Sequence, residues 1–323
     1  MTYQIIFPIL IAFAVTAILT PIFIPVLRKL KVGNTEREEL ESHQVKSGTP
    51  TMGGIVILIA LVVASLFFVK DYPKIVPILL VTVGFGVIGF LDDILKVVLH
   101  REVHKSDGLL SWQKFLLQII VTAIFCIYLI RSGTGLEMLV PFSGGRYLSI
   151  GWVAIPVLFL GVIGTVNGVN FTDGLDGLAS GITIMVAGFF TVAAIGGAWG
   201  IEPITCAVIG ALLGFLLYNC HPAKVFMGDT GSLALGGFVA AAAYMMQMPI
   251  FILIVGLIYW IEIVSVIIQV VYYRRTGGKR FFKMAPIHHH FELNGWPETR
   301  VVTVFTIITV LLCVAGFIGM WTR

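Results

Sequence analysis

Charge is what this chain has least of: among 323 residues, Asp, Glu, Lys and Arg together make up only 12%. Beside 58% hydrophobic residues and a mean hydropathy of +1.00, that scarcity excludes a soluble enzyme. The basic excess is small as well. Lys+Arg 21 against Asp+Glu 17 leaves +4, too little for a nucleic-acid binder. Cysteine is sparse and unpatterned: Cys126, Cys206, Cys220 and Cys313 lie in or beside apolar runs with no C-x-x-C spacing. Neither a disulfide framework nor a zinc site is indicated, and the four are expected to be small packing residues. Internal repeats, low-complexity linkers and a separable soluble domain are also missing, so residues 1–323 are expected to form one integral membrane domain.

What the chain does have is long apolar runs. A membrane-crossing helix needs about 20 mostly apolar residues, and it must be a helix because lipid cannot satisfy open backbone groups. Ten segments qualify, near 4–27, 52–69, 75–91, 115–130, 150–166, 178–199, 203–219, 232–248, 250–271 and 301–321. The first has no basic residue before it and no cleavage site before Arg28, so it is expected to remain as a helix. The fold class expected is therefore all-α and polytopic, with ten crossings.

Ten crossings define two sets of loops, and the basic residues choose between them. Sixteen Lys and Arg residues fall in one set, including Arg28, Lys46, Lys96, Lys114, Lys224 and the run from Arg274 to Arg300. Only five fall in the other: Lys70, Lys74, Arg131, Arg146 and Arg323. The positive-inside rule places the sixteen in the cytoplasm and both termini outside.

On that topology four polar clusters share the cytoplasmic side. Asp92 and Asp93 close the third segment in LDDILK. Asn167, Asn170, Asp173 and Asp176 follow the fifth in NGVNFTDGLDGL. Asn219 and Asp229 flank the loop NCHPAKVFMGDTGS, and His288, His289 and His290 lie in PIHHHFE. Ionisable groups near a bilayer are costly unless paired or hydrated, so their convergence on one face indicates a site rather than scattered solvated residues. Asp92 and Lys96, four apart, share a helical face that could equally be a helix-end salt bridge. The acids and amides recurring every third residue from Asn167 to Asp176 would present an oxygen-rich stripe on any helix. Carboxylates without cysteine favour a hard cation such as Mg²⁺. Around Asp229, Thr230 or Ser232 could cap the eighth helix and leave its dipole end facing an anion, although Gly-Asp-Thr-Gly also makes ordinary turns. Three successive histidines cannot all be satisfied in one core, so they are expected at a wet polar surface. Either a phosphate or sugar contact or simple solvation would account for them.

Two features are set apart. Gly84, Gly86 and Gly89 spell G-x-G-x-x-G inside an apolar helix, where close packing is expected rather than a dinucleotide loop. Glu262 is an intramembrane acid with no assigned role.

Taken in order, HQVKSGTPTMGG, LDDILK, NGVNFTDGLDGL, NCHPAKVFMGDTGS and PIHHHFE resemble the bacterial phospho-N-acetylmuramoyl-pentapeptide transferase family. That family is a branch of the polyprenyl-phosphate N-acetylhexosamine-1-phosphate transferases within glycosyltransferase family 4. The resemblance spans essentially the whole chain. DDxxK and the Asp-rich loop mark the superfamily, whereas HxxKxGTPTMGG and PIHHHFE mark the branch.

The resemblance implies transfer of phospho-MurNAc-pentapeptide from UDP-MurNAc-pentapeptide to undecaprenyl phosphate, giving lipid I and UMP, with Mg²⁺. It implies a multi-pass protein of the bacterial inner membrane, a homodimer, and a possible target of nucleoside antibiotics or a phage lysis protein. It matches Asp229 to the Mg²⁺ ligand, with Asp173 beside it as a second metal candidate, and Asp92 and Asp93 to the essential acidic pair. Lys46, Thr51, Lys96, Asn170, Asp173, Gly174, Leu175, Asp176, Asn219 and Phe226 match donor or active-site positions, and His288, His289 and His290 match the histidine motif. Asp92 could take a proton from the acceptor phosphate for direct attack, while a phospho-aspartyl intermediate is the other route. Two other readings remain. A related UDP-N-acetylhexosamine transferase would share the reaction class, and a membrane transporter would also bury Asp and Asn in a helical bundle, though nearer the midplane and with internal symmetry.

Overall fold

The computed structural model describes residues 3–29, 48–103 and 108–321, so Lys46 lies outside the described residues. Each of the ten expected segments is helical: α1 (Tyr3–Lys29), α2 (Gly54–Leu66), α3 (Ile75–Val103), α4 (Ser111–Arg131), α5 (Ala154–Thr172), α6 (Leu178–Gly197), α7 (Glu202–Asn219), α8 (Gly228–Met245), α9 (Leu257–Arg275) and α10 (Glu298–Trp321). Eight of them are long and apolar enough to cross a membrane. The protein is thus a polytopic, predominantly helical membrane protein.

The two helices outside that set depart for different reasons. α2 has only 13 residues, short of the roughly 20 that a hydrocarbon core requires. α8 has the length but not the apolarity, because it is the bundle's axis rather than part of its lipid surface. Every residue from Thr230 to Met245 is buried, and α3 and α5 press on it from two sides. Small residues permit that approach. A Cβ at Gly89 of α3 would collide with the Asp229 carbonyl, and one at Gly54 would collide with the Gly231 backbone. Gly86 likewise packs on Leu58 and Ala234, so the G-x-G-x-x-G spacing is a packing surface. By contrast α1, α4 and α10 present Leu10, Ile18, Ile124 and Leu311 outward, a surface suited to lipid.

Three expected boundaries shift. α3 does not stop at Asp92 and Asp93 but runs on to Val103, so both acids project from a continuing helix. α5 continues to Thr172 and carries Asn167 and Asn170 on its last two turns. The ninth segment is broken at Gly256: a turn at Pro249–Phe251 and a short helix Ile252–Val255 precede α9. Between α4 and α5, at the end opposite the acids, Met138–Leu139 pairs antiparallel with Tyr147–Leu148, a small hairpin that the apolar pattern did not signal. Cys126, Cys206 and Cys313 are buried, as expected of packing residues, while Cys220 is exposed.

Candidate active site

Three helix ends and the body of α3 deliver the site. Asp92, Asp93 and Lys96 come from the inner part of α3, Lys114 from the first turn of α4, Asn170 from the last turn of α5 and Asp229 from the first turn of α8. The carboxylates of Asp92, Asp93 and Asp229 each offer an oxygen within 4.8 Å of the others.

Neighbours in sequence, Asp92 and Asp93 point about 100° apart around the helix and do different work. Asp93 is buried and turned towards α8, where its Oδ2 accepts from the Thr230 N–H at 2.9 Å and the Thr230 hydroxyl at 2.7 Å. Its Oδ1 accepts from the Asp229 N–H at 3.3 Å. A residue of α3 therefore caps α8, satisfying first-turn donors that otherwise have no partner. This corrects the expectation that Thr230 or Ser232 caps α8 and leaves its amides for an anion. Ser232 instead donates back to the Gly228 carbonyl.

Asp92 faces the cavity side. Its Oδ1 accepts from the Leu109 N–H at 2.7 Å, and its Oδ2 lies 2.8 Å from Lys96 and 3.6 Å from Lys114. The i,i+4 pair with Lys96 thus forms as the spacing predicts. Asp229 is the hub: its Oδ2 accepts from Lys96 at 2.9 Å and Lys114 at 2.7 Å, and its Oδ1 accepts from the Asn170 amide at 2.8 Å. Two ammonium groups and three carboxylates in so small a volume form a charged centre whose lysines sit on flexible stems and can be redirected.

The Asp-rich stretch does not form one stripe, because the helix ends at Thr172 and the four residues diverge. Asn167 pairs with Gln118 of α4, and Asn170 joins Asp229 and Ser232. Asp173 stands beside the three-carboxylate set rather than within it. Burial, then the charges of Asp229, Asp93 and Asp176, push its carboxyl well above the usual carboxylate range. Asp176 turns the other way. Its Oδ2 accepts from the Ala223 N–H at 3.0 Å and meets His221 at 3.1 Å, while its own N–H donates to Glu298 at 2.6 Å. Asn219 is buried and hydrogen-bonded to Ser180 and to the Val225 carbonyl.

Thr51 and Phe226 meet through backbone. Pro50 and Gly53 exchange hydrogen bonds with Phe226 at 2.8 Å each, a link that seats Thr51 beside Gly228, whose Cα Asp93 also approaches. The histidines divide rather than forming one wet surface. His289 meets Glu292 at 2.8 Å, and His290 accepts from the Lys283 N–H at 3.1 Å. His288 is fully buried, which corrects the expectation of a solvated triplet. The short helix Ile287–Glu292 begins at Pro286, where a missing N–H costs nothing, and turns His288 inward.

From this centre a cavity of about 1240 Å³ opens between α4, α5 and α9. Asp92, Lys96, Lys114 and Asp229 line one part of it, and Phe115, Ile119, Phe159, Leu160, Ile263 and Ile267 line another.

The chain that carries this centre has counterparts among known proteins. Residues 75–247 match the Glycosyl transferase family 4 model, and residues 46–58 match phospho-N-acetylmuramoyl-pentapeptide-transferase signature 1. A phospho-N-acetylmuramoyl-pentapeptide-transferase of Acetivibrio thermocellus is 48% identical over 98% of this chain and 95% of its own length. Those of Caldicellulosiruptor bescii and Halalkalibacterium halodurans are 47% and 45% identical, covering 94% and 97% of this chain and the same shares of their own. The chain belongs to the phospho-N-acetylmuramoyl-pentapeptide transferase family.

Within that family's scaffold, the sequence reading passed over Lys114 and Gln118 and took Thr230 and Ser232 only as helix caps. Lys114 counted only as a loop charge. Its one available signal was that it opens an apolar helix on the basic side, where a stem can lie along the helix and deliver an ammonium group to the mouth.

Proposed function

We propose that the protein transfers phospho-MurNAc-pentapeptide from UDP-MurNAc-pentapeptide to undecaprenyl phosphate at the cytoplasmic face of the bacterial inner membrane, releasing UMP and forming lipid I. One observation carries this reading: the charged centre of Asp92, Asp229, Lys96 and Lys114 opens directly into a cavity with an apolar wall. A water-soluble pyrophosphate and the phosphate head of a greasy chain could meet only at such a junction. The lopsided basic residues support ten crossings with both termini outward, and the family resemblance supports a homodimer.

Three carboxylates with mutually close oxygens and no thiolate suit Mg²⁺. Asp229, with Asp92 alongside, would hold it, and when bound the ion would offset phosphate charge and orient the displacement. Lys96 and Lys114, now on Asp229, would turn to the pyrophosphate oxygens as charge builds there. Asp173, Gly174, Leu175, Asp176, Asn219, Phe226, Thr51 and Lys46 would frame the donor, with the histidine motif closing beside them.

An acceptor phosphate oxygen would attack the β-phosphorus in line. The new O–P bond forms as the bond to the UMP phosphate breaks, and the electron pair leaves with UMP. Asp92 would take the acceptor's remaining proton, whose pKa is about 6. Direct attack is favoured over a phospho-aspartyl route because Asp93 is committed to Thr230 and Asp229, and Asp92 is the carboxylate left to take the acceptor's proton.

The test is UMP release by purified protein with Mg²⁺. UDP-MurNAc-pentapeptide with undecaprenyl phosphate should support turnover, and UDP-GlcNAc should not. Turnover with UDP-GlcNAc alone would move the protein to the related branch. A stoichiometric burst of UMP without acceptor would establish the covalent route.

A further inference from the structure

Glu262 takes no part in the chemistry above, yet it is 0% exposed near the start of α9, and so is His288 beside it. Glu262 Oε2 lies 3.2 Å from His288 Nδ1, within hydrogen-bond length though out of alignment. Among the described residues, neither carboxylate oxygen and neither ring nitrogen has a hydrogen-bond partner. Two such groups are expensive to bury apart, and among those residues each is the nearest polar relief the other has.

The opposite edge of the same ring has a different neighbour. A Cβ at Gly174 would collide with His288 Nε2 and stand 2.6 Å from Cε1, so the ring occupies the space of the missing side chain. Gly174 follows Asp173 and precedes Asp176, and Asp176 is already tied to Glu298, Ala223 and His221. The loop is therefore pinned at Asp176 and braced at Gly174, leaving Asp173 to be aimed by the two together.

We infer that Glu262 is a positioning residue: by holding His288 through Nδ1, it presses the far edge of the ring on Gly174 and so sets the loop from Asp173 to Asp176 for the nucleotide donor. The strut runs from α9 through the histidine helix to the loop after α5, and none of its members reaches the apolar groove. The inference rests on the proposed role of that loop in holding the donor.

The test separates the two substrates. With Mg²⁺, UDP-MurNAc-pentapeptide and undecaprenyl phosphate, Glu262→Leu should raise the donor KM about tenfold, the worth of one lost hydrogen bond, and leave the acceptor KM within about twofold. Glu262→Gln keeps an oxygen for Nδ1–H and should stay within about threefold of the parent donor KM. An unchanged donor KM in Glu262→Leu would overturn the strut. So would a fall in kcat alone with both KM values intact, since that signals only fewer folded molecules, and so would a Gln variant no better than Leu. Should Leu prevent folding, Glu262→Asp retracts the carboxylate by one methylene. It should raise the donor KM about threefold, and no rise would refute the strut. Asp229→Asn run in parallel keeps the two claims apart: its full turnover would overturn the site assignment, whereas its loss with an unchanged donor KM in Glu262→Leu would overturn the strut alone.

Discussion

Two clusters at the same end of this molecule look alike by composition and differ in what their charges are committed to. Asp92, Asp93 and Asp229 form one; Asp176, His221 and Glu298 form the other, and in each the candidate ligand atoms lie within 4.8 Å of one another. In the first, the hub Asp229 is met among the described residues by side chains, namely two ammonium groups, the Asn170 amide and the Asp92 carboxyl, although Asp92 and Asp93 themselves also accept from the Leu109 and Thr230 N–H groups. Side-chain partners can rotate away when a phosphate arrives. In the second, Asp176 accepts from the Ala223 N–H and Glu298 from the Asp176 N–H, so the carboxylates hold backbone in place. One cluster borders the cavity and the other fastens the loop beside it. Proximity of acids is therefore not enough to define a site; what matters is whether their partners can leave.

That contrast can be broken in four places. The largest effect should come from Asp229→Asn, which removes the hub: UMP release should fall on the order of a thousandfold while the protein still purifies as folded material. Undiminished turnover would remove the distinction between the clusters. Lys114→Met keeps the stem but deletes the ammonium group 2.7 Å from Asp229, and kcat should drop between roughly tenfold and a hundredfold. A change below twofold would reduce Lys114 to a surface cation.

Asp173→Asn sharpens the comparison through pH. Burial and the neighbouring acids raise the Asp173 carboxyl, so the native state binds its proton more tightly than the unfolded chain, and wild-type stability declines as pH rises past the unfolded value near 4. With a chelator present, the Asn variant should melt higher than wild type at pH 7, with the gap closing towards about pH 4, while turnover is lost. Equal melting curves across that range would show that Asp173 is not held against its neighbours. The smallest effect belongs to the fastening cluster. The His221 side chain is 46% exposed, so His221→Ala should cost under about 1 kcal/mol of stability and leave turnover within about threefold. A hundredfold loss would place that cluster in the chemistry after all.

Most of the helical framework was legible in the chain because lipid allows so few solutions: a long apolar run must be a helix, and basic loops choose a side. Legibility failed where protein replaces lipid as the surroundings. α8 is Gly- and Ala-rich because helices enclose it, which lowers its apolarity below that of a lipid-facing span. The break at Gly256 and the hairpin at 138–148 obey contacts rather than hydropathy. At the site, Asp92, Lys96, Asn170 and Asp229 were visible as residues that should converge, and the structure brings them together. Asp176 and Asn219 also make local hydrogen bonds, to Ala223 and to Ser180 and Val225, that their spacing did not foretell, and His288 proved buried, since nothing in three identical letters tells which ring turns inward.

The chain's letters alone settled that this is a many-helix membrane protein and which residue types would gather at one mouth, because apolar length and charge asymmetry are one-dimensional quantities. Only the tertiary arrangement decided that Asp93 caps α8, that Lys114 pairs with Asp229 and that Glu262 comes to lie 3.2 Å from His288. Each of those pairings joins residues far apart in sequence, and hydrogen bonds reaching no more than about 3.5 Å depend on where helices cross, which no local pattern records.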